Sequence, residues 1–281
     1  MGFGIILLVL VLIALVAFVV RVYMCYRAYD AIRRPGLYAP GDTYTFNNQT
    51  YQIPQLPMTP SKTRILSEAF MQKQHELFGR VLSVFAELKL TVWPSGGTLM
   101  GIVRHGTLMP WDDDIDVHTP YAFRDIVFGG DFVEACVRKG LVCFRRKCWR
   151  EDPWDRRRAC CRHCGCMHIR LRDHKTPVLD VFFEFAQGDI LKKVECWDYL
   201  KLEFNAKEQW HKAYVYPLQP AIMDGIAMTL PIRADYLLTS QYGPKVLQSM
   251  MSPPWYRTHE MSYTNQSFVE FQAEEARSRW G

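Results

Sequence analysis

The stretch Ser95–Val117 constrains this chain most strongly, because it joins a glycine turn to an acidic strand. In its second half, acidic residues alternate with β-branched residues along Asp114-Ile115-Asp116-Val117. This alternation predicts a strand that buries one face and exposes the other. Asp114 and Asp116 then project from the same face, about 7 Å apart at their roots. Carboxylates placed in this way suit Mg²⁺ or Mn²⁺, whereas the alternative, an exposed acidic turn, does not need the alternation.

The glycine turn is Ser95-Gly96-Gly97-Thr98, between a predicted short strand at Leu90–Trp93 and a predicted helix that begins near Thr98. Free backbone N–H groups at a helix N-terminus bind anions. Gly96, Gly97 and Thr98 are therefore candidates for binding phosphate. A glycine turn followed by an acidic strand predicts a nucleotidyltransferase-type site, in which the turn holds phosphates and the carboxylates hold metal.

A third carboxylate is expected on a neighbouring strand. Asp180 lies within the apolar run Val178–Phe183, where an isolated carboxylate is costly unless it is paired or bound to metal. We therefore predict that Asp180 belongs to the site, against the alternative of a surface acid at a strand end. Met167–Arg172 is predicted as the preceding strand of a hairpin, with its turn at Asp173–Thr176.

Ser61, followed by apolar residues close to helical spacing, predicts a helix that begins at Ser61. In the C-terminal third, the sequence predicts amphipathic helices at Trp197–Trp210 and Tyr236–Gln248, and a strand or extended segment at Ile226–Pro231.

The N-terminal block Phe3–Val20 is apolar and carries no charge before Arg21. About 18 apolar residues just suffice to cross the hydrocarbon core of a bilayer. The block lacks a basic start and a small-residue cleavage site, so we favour an uncleaved signal-anchor over a cleaved signal peptide. Residues Tyr38–Ser61 are rich in Pro, Asn, Gln and Thr, which predicts an extended stem.

The orientation of this anchor stays open on the sequence alone. Four arginines follow the span and favour a cytoplasmic location for the rest of the chain; they are Arg21, Arg27, Arg33 and Arg34. Two glycosylation sequons, Asn48-Gln49-Thr50 and Asn265-Gln266-Ser267, are usable only in a lumen. We expect a single-pass membrane protein of the Golgi or ER with a lumenal catalytic domain.

The motifs resemble those of the LicD family, which includes bacterial phosphocholine transferases and the animal fukutin and fukutin-related proteins. The resemblance covers roughly Ser61–Tyr256. It is carried by Gly97-Thr98-Leu99-Met100-Gly101, Val103-Arg104-His105-Gly106, Pro110-Trp111-Asp112-Asp113-Asp114-Ile115-Asp116, Tyr216-Pro217-Leu218, Asp224-Gly225-Ile226, Leu230-Pro231, Tyr236-Leu237 and Tyr242-Gly243.

The resemblance implies an α+β, nucleotidyltransferase-like fold, a mixed sheet flanked by helices. It also implies transfer of a phospho-alcohol, such as ribitol phosphate or phosphocholine, from a CDP-linked donor to a glycan hydroxyl, with CMP as the leaving group. Asp114 and Asp116 would hold Mg²⁺ or Mn²⁺, with Asp180 as third ligand or as base.

The resemblance implies further roles beside these carboxylates. Arg104 would bind the diphosphate, His105 would contact phosphate or acceptor or make a structural hydrogen bond, and Asp112 would be a further ligand or a cap. Tyr242 would lie near the substrate. Met223-Asp224-Gly225 departs from the Phe-Glu-Gly-like turn common in the family, which puts the contact of that acid in doubt.

Most of the nine cysteines lie in one stretch between Cys143 and Cys166. Their short spacings could wrap a tetrahedral ion, and fukutin-related protein is similar in carrying a zinc-binding cysteine loop. We favour structural Zn²⁺ over disulfides. The candidate ligands are Cys148, Cys160, Cys161, His163, Cys164 and Cys166.

Basic residues crowd into Arg138–Lys175 and could attract an anionic glycan, the donor or lipid headgroups. A solvated basic loop is the alternative. Nucleic acid is discounted, because few aromatic residues interleave with the charges and a membrane anchor fits that function poorly.

The chain is thus divided into an anchor (1–22), a stem (23–60), a catalytic domain (61–260) with a cysteine-rich insertion (143–168), and a polar tail (261–281). Two other functions stay open: a nucleotidyltransferase that moves NMP from NTP, and a non-catalytic glycan-binding scaffold. The alcohol, the acceptor and the oligomeric state cannot be read from the sequence.

Overall fold

The computed structural model describes residues 2–34, 38–39, 41–53, 65–144, 166–197, 202–244 and 246–248. The helices are α1 Gly2–Ala31, α2 Glu68–Glu87, α3 Gly96–His105, α4 Arg124–Val127, α5 Gly130–Arg138, α6 Lys212–Val215 and α7 Ala234–Tyr242. The strands are β1 Thr43–Phe46, β2 Gln49–Gln52, β3 Trp93–Pro94, β4 Asp114–Pro120, β5 Leu141–Phe144, β6 Cys166–Leu171, β7 Val178–Gln187, β8 Ile190–Trp197, β9 Leu202–His211, β10 Gln219–Met223 and β11 Ile226–Leu230.

A seven-stranded mixed sheet forms the centre of the domain, in the order β3-β4-β7-β6-β5, with β8 and β9 continuing from β7. Strands β4 and β7 are parallel, and the other neighbours are antiparallel. The predicted α+β class with a central mixed sheet is confirmed.

The two faces of the sheet have different chemistry because successive side chains of a strand point to opposite sides. On one face, Ile115, Val117, Leu179 and Val181 are fully buried in the main core with residues of α2 and α5. The intervening positions of β4 and β7 carry Asp114, Asp116 and Asp180 on the other face.

Helix α2 covers the apolar face of the sheet. It begins at Glu68, where the hydroxyl of Ser67 accepts a hydrogen bond from the N–H of Phe70 at 3.3 Å. This cap satisfies one of the free N–H groups of the first turn. The predicted start at Ser61 lies outside the described residues, and the helix as described begins seven residues later in the sequence.

The segment predicted as an extended stem contains the β1–β2 hairpin. Tyr44, Phe46 and Ile53 are buried against Phe70 and Met71 of α2. The prediction of an extended chain is therefore wrong for Thr43–Gln52, because three large apolar side chains are buried against the domain. The proposed domain boundaries themselves stay a prediction.

Other predicted elements need smaller or larger corrections. The helix predicted at Trp197–Trp210 is wrong, since β8 ends and β9 runs through this segment. The strand predicted at Leu90–Trp93 is reduced to Trp93–Pro94, and the helix predicted at Tyr236–Gln248 is interrupted at Gly243. The β6–β7 hairpin and the strand at Ile226–Leu230 are confirmed.

The N-terminal helix α1 exposes its apolar side chains. Its large apolar side chains described between Leu10 and Met24 are each exposed by 50% or more. Among the described residues, no helix has the length and apolar character needed to cross a membrane. The predicted anchor at Phe3–Val20 stays a prediction.

Candidate functional site

The polar face of β4 and β7 brings the three predicted carboxylates together. The parallel register places Asp116 directly opposite Asp180 and Asp114 opposite Val178. Asp114 and Asp116 share a face two residues apart, as the alternation predicted. The sequence did not show that β4 and β7 pair in parallel. It did predict that these three carboxylates lie in one site.

The glycine turn lies against this acidic strand through backbone hydrogen bonds. The N–H of Ser95 donates to the carbonyl of Asp116 at 3.0 Å, and the N–H of Asp116 donates to the hydroxyl of Thr98 at 2.8 Å. Helix α3 begins at Gly96, directly after Ser95. The N-terminus of α3 is therefore fixed beside the carboxylates. The N-terminus of a helix favours anions.

The two glycines allow this close approach. A Cβ on Gly97 would overlap the Oδ2 atom of Asp112, and a Cβ on Gly96 would lie 3.0 Å from Oδ2 of Asp116. Gly96 also has a φ of 53°, in the left-handed region that favours glycine. Asp112 is thereby placed next to the turn, within the same group of carboxylates as Asp114 and Asp116.

Burial and neighbouring negative charges raise the pKa of the carboxylates at this site. Burial, followed by the charge of Asp114, raises the pKa of Asp112 and of Asp116 well above the usual range. Burial also raises the pKa of Asp114 to about 6. Neighbouring carboxylates that are costly to ionise together are a suitable donor set for a divalent cation, whose charge would relieve their repulsion.

Arg104 and His105 occupy the last turn of α3, at the opposite end from the glycine turn. The guanidinium of Arg104 donates to the carbonyl of Val246 at 3.1 Å, to Sδ of Met109 at 3.2 Å and to Nε2 of His105 at 3.1 Å. Its pKa falls to about 10 because of burial, which the charge of Asp112 opposes.

His105 is an acceptor in this arrangement. Burial, and then the charge of Arg104, lowers the pKa of His105 to about 3, so the imidazole is neutral. Its ring lies edge-on to Trp111 at 5.2 Å between centroids. The geometry therefore gives His105 a structural hydrogen bond, and the phosphate-binding roles of both residues stay predictions.

Tyr242, at the end of α7, lies beside the carboxylates. Its hydroxyl would be 3.4 Å from a Cβ on Gly96. Burial, and then the charges of Glu208, Asp116 and Asp112, raises the pKa of Tyr242 well above its usual value. The phenol is therefore neutral and can donate a hydrogen bond beside the carboxylates.

A largely buried ion pair, which the sequence did not indicate, lies on the same face of the sheet. Nζ of Lys193 lies 3.1 Å from Oε2 of Glu208 and 3.8 Å above the ring of Phe182. The charge of Lys193 also opposes the rise in the pKa of Asp116. The sequence does not mark Lys193 by a regular alternation of apolar and polar residues. The pairing of β8 with β9 is irregular directly after Lys192, so the usual alternation is not expected there.

Asp180 is joined to two residues of β6. Its Oδ1 atom lies 2.6 Å from Nδ1 of His168, and Nε2 of His168 lies 3.5 Å from Sγ of Cys166. One ligand atom from each of these three residues lies within 4.8 Å of the others. Cys166 is the only predicted zinc ligand among the described residues; Cys148, Cys160, Cys161, His163 and Cys164 lie outside them.

Asp224, whose contact was in doubt, holds together parts of the fold away from the carboxylates. It accepts hydrogen bonds from Tyr51 at 2.6 Å, from Thr107 at 2.5 Å and from Nε2 of His75 at 2.9 Å. These partners belong to β2, to the segment after α3 and to α2. The acid of Met223-Asp224-Gly225 is thus structural in this chain.

A separate cavity of about 680 Å³ lies between the end of α2 and the β10–β11 hairpin. Its lining is mostly apolar and includes Leu82, Val92, Leu218 and Met228. Lacking the site carboxylates, it offers no metal-binding chemistry.

The sequence model of the LicD/FKTN/FKRP nucleotidyltransferase domain matches residues 89–233 of this chain, about half its length. This range contains the glycine turn, β4 and β7. No curated protein matches the sequence.

Two similar solved structures are of the antibiotic-resistance factor ANT(2″)-Ia. The crystal structure in complex with adenylyl-2″-tobramycin is 16% identical, covers 74% of this chain and 99% of its own, and has a TM-score of 0.36. The solution structure is 14% identical, covers 75% and 94%, and has the same TM-score of 0.36. Likenesses at this level support no conclusion about the present site.

Proposed function

The chain belongs to the LicD family, and we propose that it is a metal-dependent phosphotransferase of glycan modification. It takes a phospho-alcohol, such as ribitol phosphate or phosphocholine, from a CDP-linked donor and transfers it to a glycan hydroxyl. The observation that carries this proposal is the register of Asp116 with Asp180, beside a glycine turn whose backbone is hydrogen-bonded to Asp116. This supports the proposal, because the groups proposed to bind phosphate and metal are neighbours, as phosphoryl transfer requires.

The carboxylates Asp114, Asp116 and Asp180 are the proposed ligands of Mg²⁺ or Mn²⁺, with Asp112 as a further ligand. Their oxygen chemistry and mutual repulsion suit a hard divalent cation. When bound, such an ion would offset the charge of the diphosphate and of the leaving CMP.

The residues of the chain have distinct parts in the proposed reaction. The N–H groups at Gly96, Gly97 and Thr98 bind and orient the diphosphate, with Arg104 as a second anion-binding group. The acceptor oxygen attacks the phosphorus that carries the alcohol, the bond to the CMP oxygen breaks, and CMP leaves. If Asp180 serves as base instead of third ligand, it takes the proton of the acceptor hydroxyl.

We also propose a structural Zn²⁺ in the cysteine-rich insertion, and attachment of the chain to a Golgi or ER membrane. The insertion joins β5 to β6, two adjacent strands of the sheet. The exposed apolar side chains of α1 support attachment, since so much apolar surface is unfavourable in water. The acceptor glycan would then be met on the lumenal side.

The experiment that tests the reaction offers the full-length chain CDP-ribitol, CDP-choline, CDP-glycerol, CTP and ATP separately, with Mg²⁺ or Mn²⁺. The full chain is needed because Ile32, Arg33 and the β1–β2 hairpin pack on the domain. Release of CMP or pyrophosphate is measured. We expect metal-dependent CMP release from one CDP-alcohol, and a loss on the order of 10²–10³-fold in Asp116→Asn.

Asp125→Asn is the matched control, because Asp125 is an exposed acid whose side chain is 88% accessible. It should react like the wild-type chain. Pyrophosphate release from a nucleoside triphosphate would replace the proposal with nucleotidyl transfer. No release from any donor, together with no metal-dependent thermal stabilisation, would favour the non-catalytic scaffold.

A further inference from the structure

The third carboxylate of the site is held by a histidine on the neighbouring antiparallel strand. His168 of β6 lies directly opposite Asp180 of β7. Its Nδ1 atom is 2.6 Å from Oδ1 of Asp180, a short distance typical of a hydrogen bond to a charged acceptor. The side chain of His168 is 7% exposed and that of Asp180 is 21% exposed, so little water competes for this bond.

The imidazole is itself fixed from two further directions. Nε2 lies 3.5 Å from Sγ of Cys166, which is buried. The ring of Phe144 stacks on the imidazole at 5.4 Å between centroids with an interplanar angle of 26°. Because Nδ1 faces a carboxylate, which cannot donate, this nitrogen carries the proton.

We propose that His168 is a positioning residue that sets the rotation of the Asp180 carboxylate for metal binding. The inference rests on the proposed function, since it takes Asp180 as a metal ligand. One lone pair of Oδ1 is engaged by His168, which leaves Oδ2 and the second lone pair of Oδ1 for a cation. Ligand carboxylates in metal sites are oriented by such outer hydrogen bonds, and losing one costs about 10–100-fold in metal affinity.

The experiment measures Mn²⁺ binding to the full-length chain by electron paramagnetic resonance of the free ion, with no donor or acceptor present. We expect His168→Ala to weaken Mn²⁺ binding by about 10–100-fold. His168→Asn should recover most of the affinity, because its amide nitrogen occupies about the position of Nδ1. His168→Gln places its amide nitrogen near the position of Nε2 and should recover little.

His174→Ala is the control, since this half-buried histidine lies in the turn between β6 and β7. It should bind Mn²⁺ as the wild-type chain does. Thermal unfolding of each variant checks the fold. If His168→Ala does not fold, the matched Asn and Gln variants still compare the two donor positions.

Three results would overturn the inference. Unchanged Mn²⁺ binding in His168→Ala, with reduced binding in Asp180→Asn, would show that Asp180 needs no positioning. Equal loss in the Asn and Gln variants would show that the ring supports packing alone. Zn²⁺ that copurifies with the wild-type chain and is lost from His168→Asn would identify His168 as a ligand. Unchanged Mn²⁺ binding in Asp180→Asn would instead contradict the proposed metal site.

Discussion

Gly96 and Gly97 decide how closely α3 approaches the acidic strand. Neither position leaves room for a side chain without movement of Asp116 or Asp112. The first turn of α3 and the carboxylates therefore lie side by side, as the proposed binding of a diphosphate and its metal requires. This close approach is the physical reason for a glycine pair in the turn.

Gly97→Ala tests the approach directly. The added methyl group overlaps Asp112 Oδ2 and must displace that carboxylate. We expect weaker Mn²⁺ binding and a free energy of unfolding lowered by about 1–3 kcal/mol, as for other overpacked sites. Mn²⁺ titration and urea unfolding measure the two effects.

Gly130→Ala is the matched control, because Gly130 also begins a helix and its Cβ would meet nothing within 4 Å. It should leave both quantities unchanged or slightly raise stability. A Gly97→Ala chain that behaves like Gly130→Ala would mean that Asp112 is not held against the turn in solution.

The sequence indicated the acids of the site better than their partners. Asp114, Asp116 and Asp180 were predicted, because acids within apolar strands need a reason. His168, Lys193 and Glu208 were not assigned to the carboxylate site, since their roles depend on strand register and on pairings that no local pattern encodes. Arg104 was predicted to bind phosphate. In the structure it lies in the last turn of α3, and the length of this helix separates it from the glycine turn.

At the scale of elements, the failure at Trp197–Trp210 has a physical cause. Strands β8 and β9 pair with register shifts between Lys192 and Val194 and between Val194 and Cys196. Such bulges break the alternation of period two by which a strand is recognised in a sequence. The pairing of β9 with β8 then outweighs the weak local preference of this segment. By contrast, the β6–β7 hairpin was predicted from an apolar run, Val178–Phe183, that follows a strand and a turn at Asp173–Thr176.

Asp224 joins the turn of the β10–β11 hairpin to β2, to α2 and to the segment after α3, and its pKa makes this contribution to stability depend on pH. Burial raises the pKa of Asp224, but the hydrogen bonds from His75, Thr107 and Tyr51 outweigh this effect and lower it. A carboxylate with a depressed folded-state pKa stabilises the fold above its unfolded pKa of about 3.9. That stability is lost as the pH falls through the folded-state pKa.

We expect Asp224→Asn to lower the free energy of unfolding by about 1–3 kcal/mol at pH 7, because its amide group cannot accept the same set of hydrogen bonds. The difference from the wild-type chain should shrink as the pH falls below the unfolded-state pKa of about 3.9. Urea unfolding at a series of pH values measures both.

Asp235→Asn provides the comparison for this measurement. Asp235 also has a lowered pKa, owing to Arg233, but this ion pair is half exposed. Exposed pairs contribute little, so the variant should unfold like the wild-type chain. A pH-independent effect of Asp224→Asn would show that its hydrogen bonds, and not its charge, carry the stabilisation.

At the scale of the whole molecule, the β1–β2 hairpin bears on membrane orientation. Asn48 is exposed in the turn of this hairpin, with a φ of 60°, and its sequon extends to Thr50 on β2. A glycosylating enzyme could therefore reach it. Of the arginines that favour the opposite orientation, Arg33 is buried near Asp113 and Arg34 donates to the carbonyl of Thr45 at 2.8 Å. Both have structural partners, so their presence does not require a cytoplasmic location.

We expect a lumenal domain, and hence N-glycosylation of the full-length chain expressed in a eukaryotic secretory pathway. Thr50→Ala removes the sequon without changing Asn48, whose backbone conformation suits asparagine. The variant should lose one glycosidase-sensitive shift in electrophoretic mobility, whereas Thr43→Ala, an exposed threonine on β1, should keep it. Ser267→Ala reports on the second sequon in the same way.

A wild-type chain without any shift, and digested by protease added to intact vesicles, would place the domain in the cytoplasm. The arginines after the apolar block would then outweigh the sequons as the determinant of orientation.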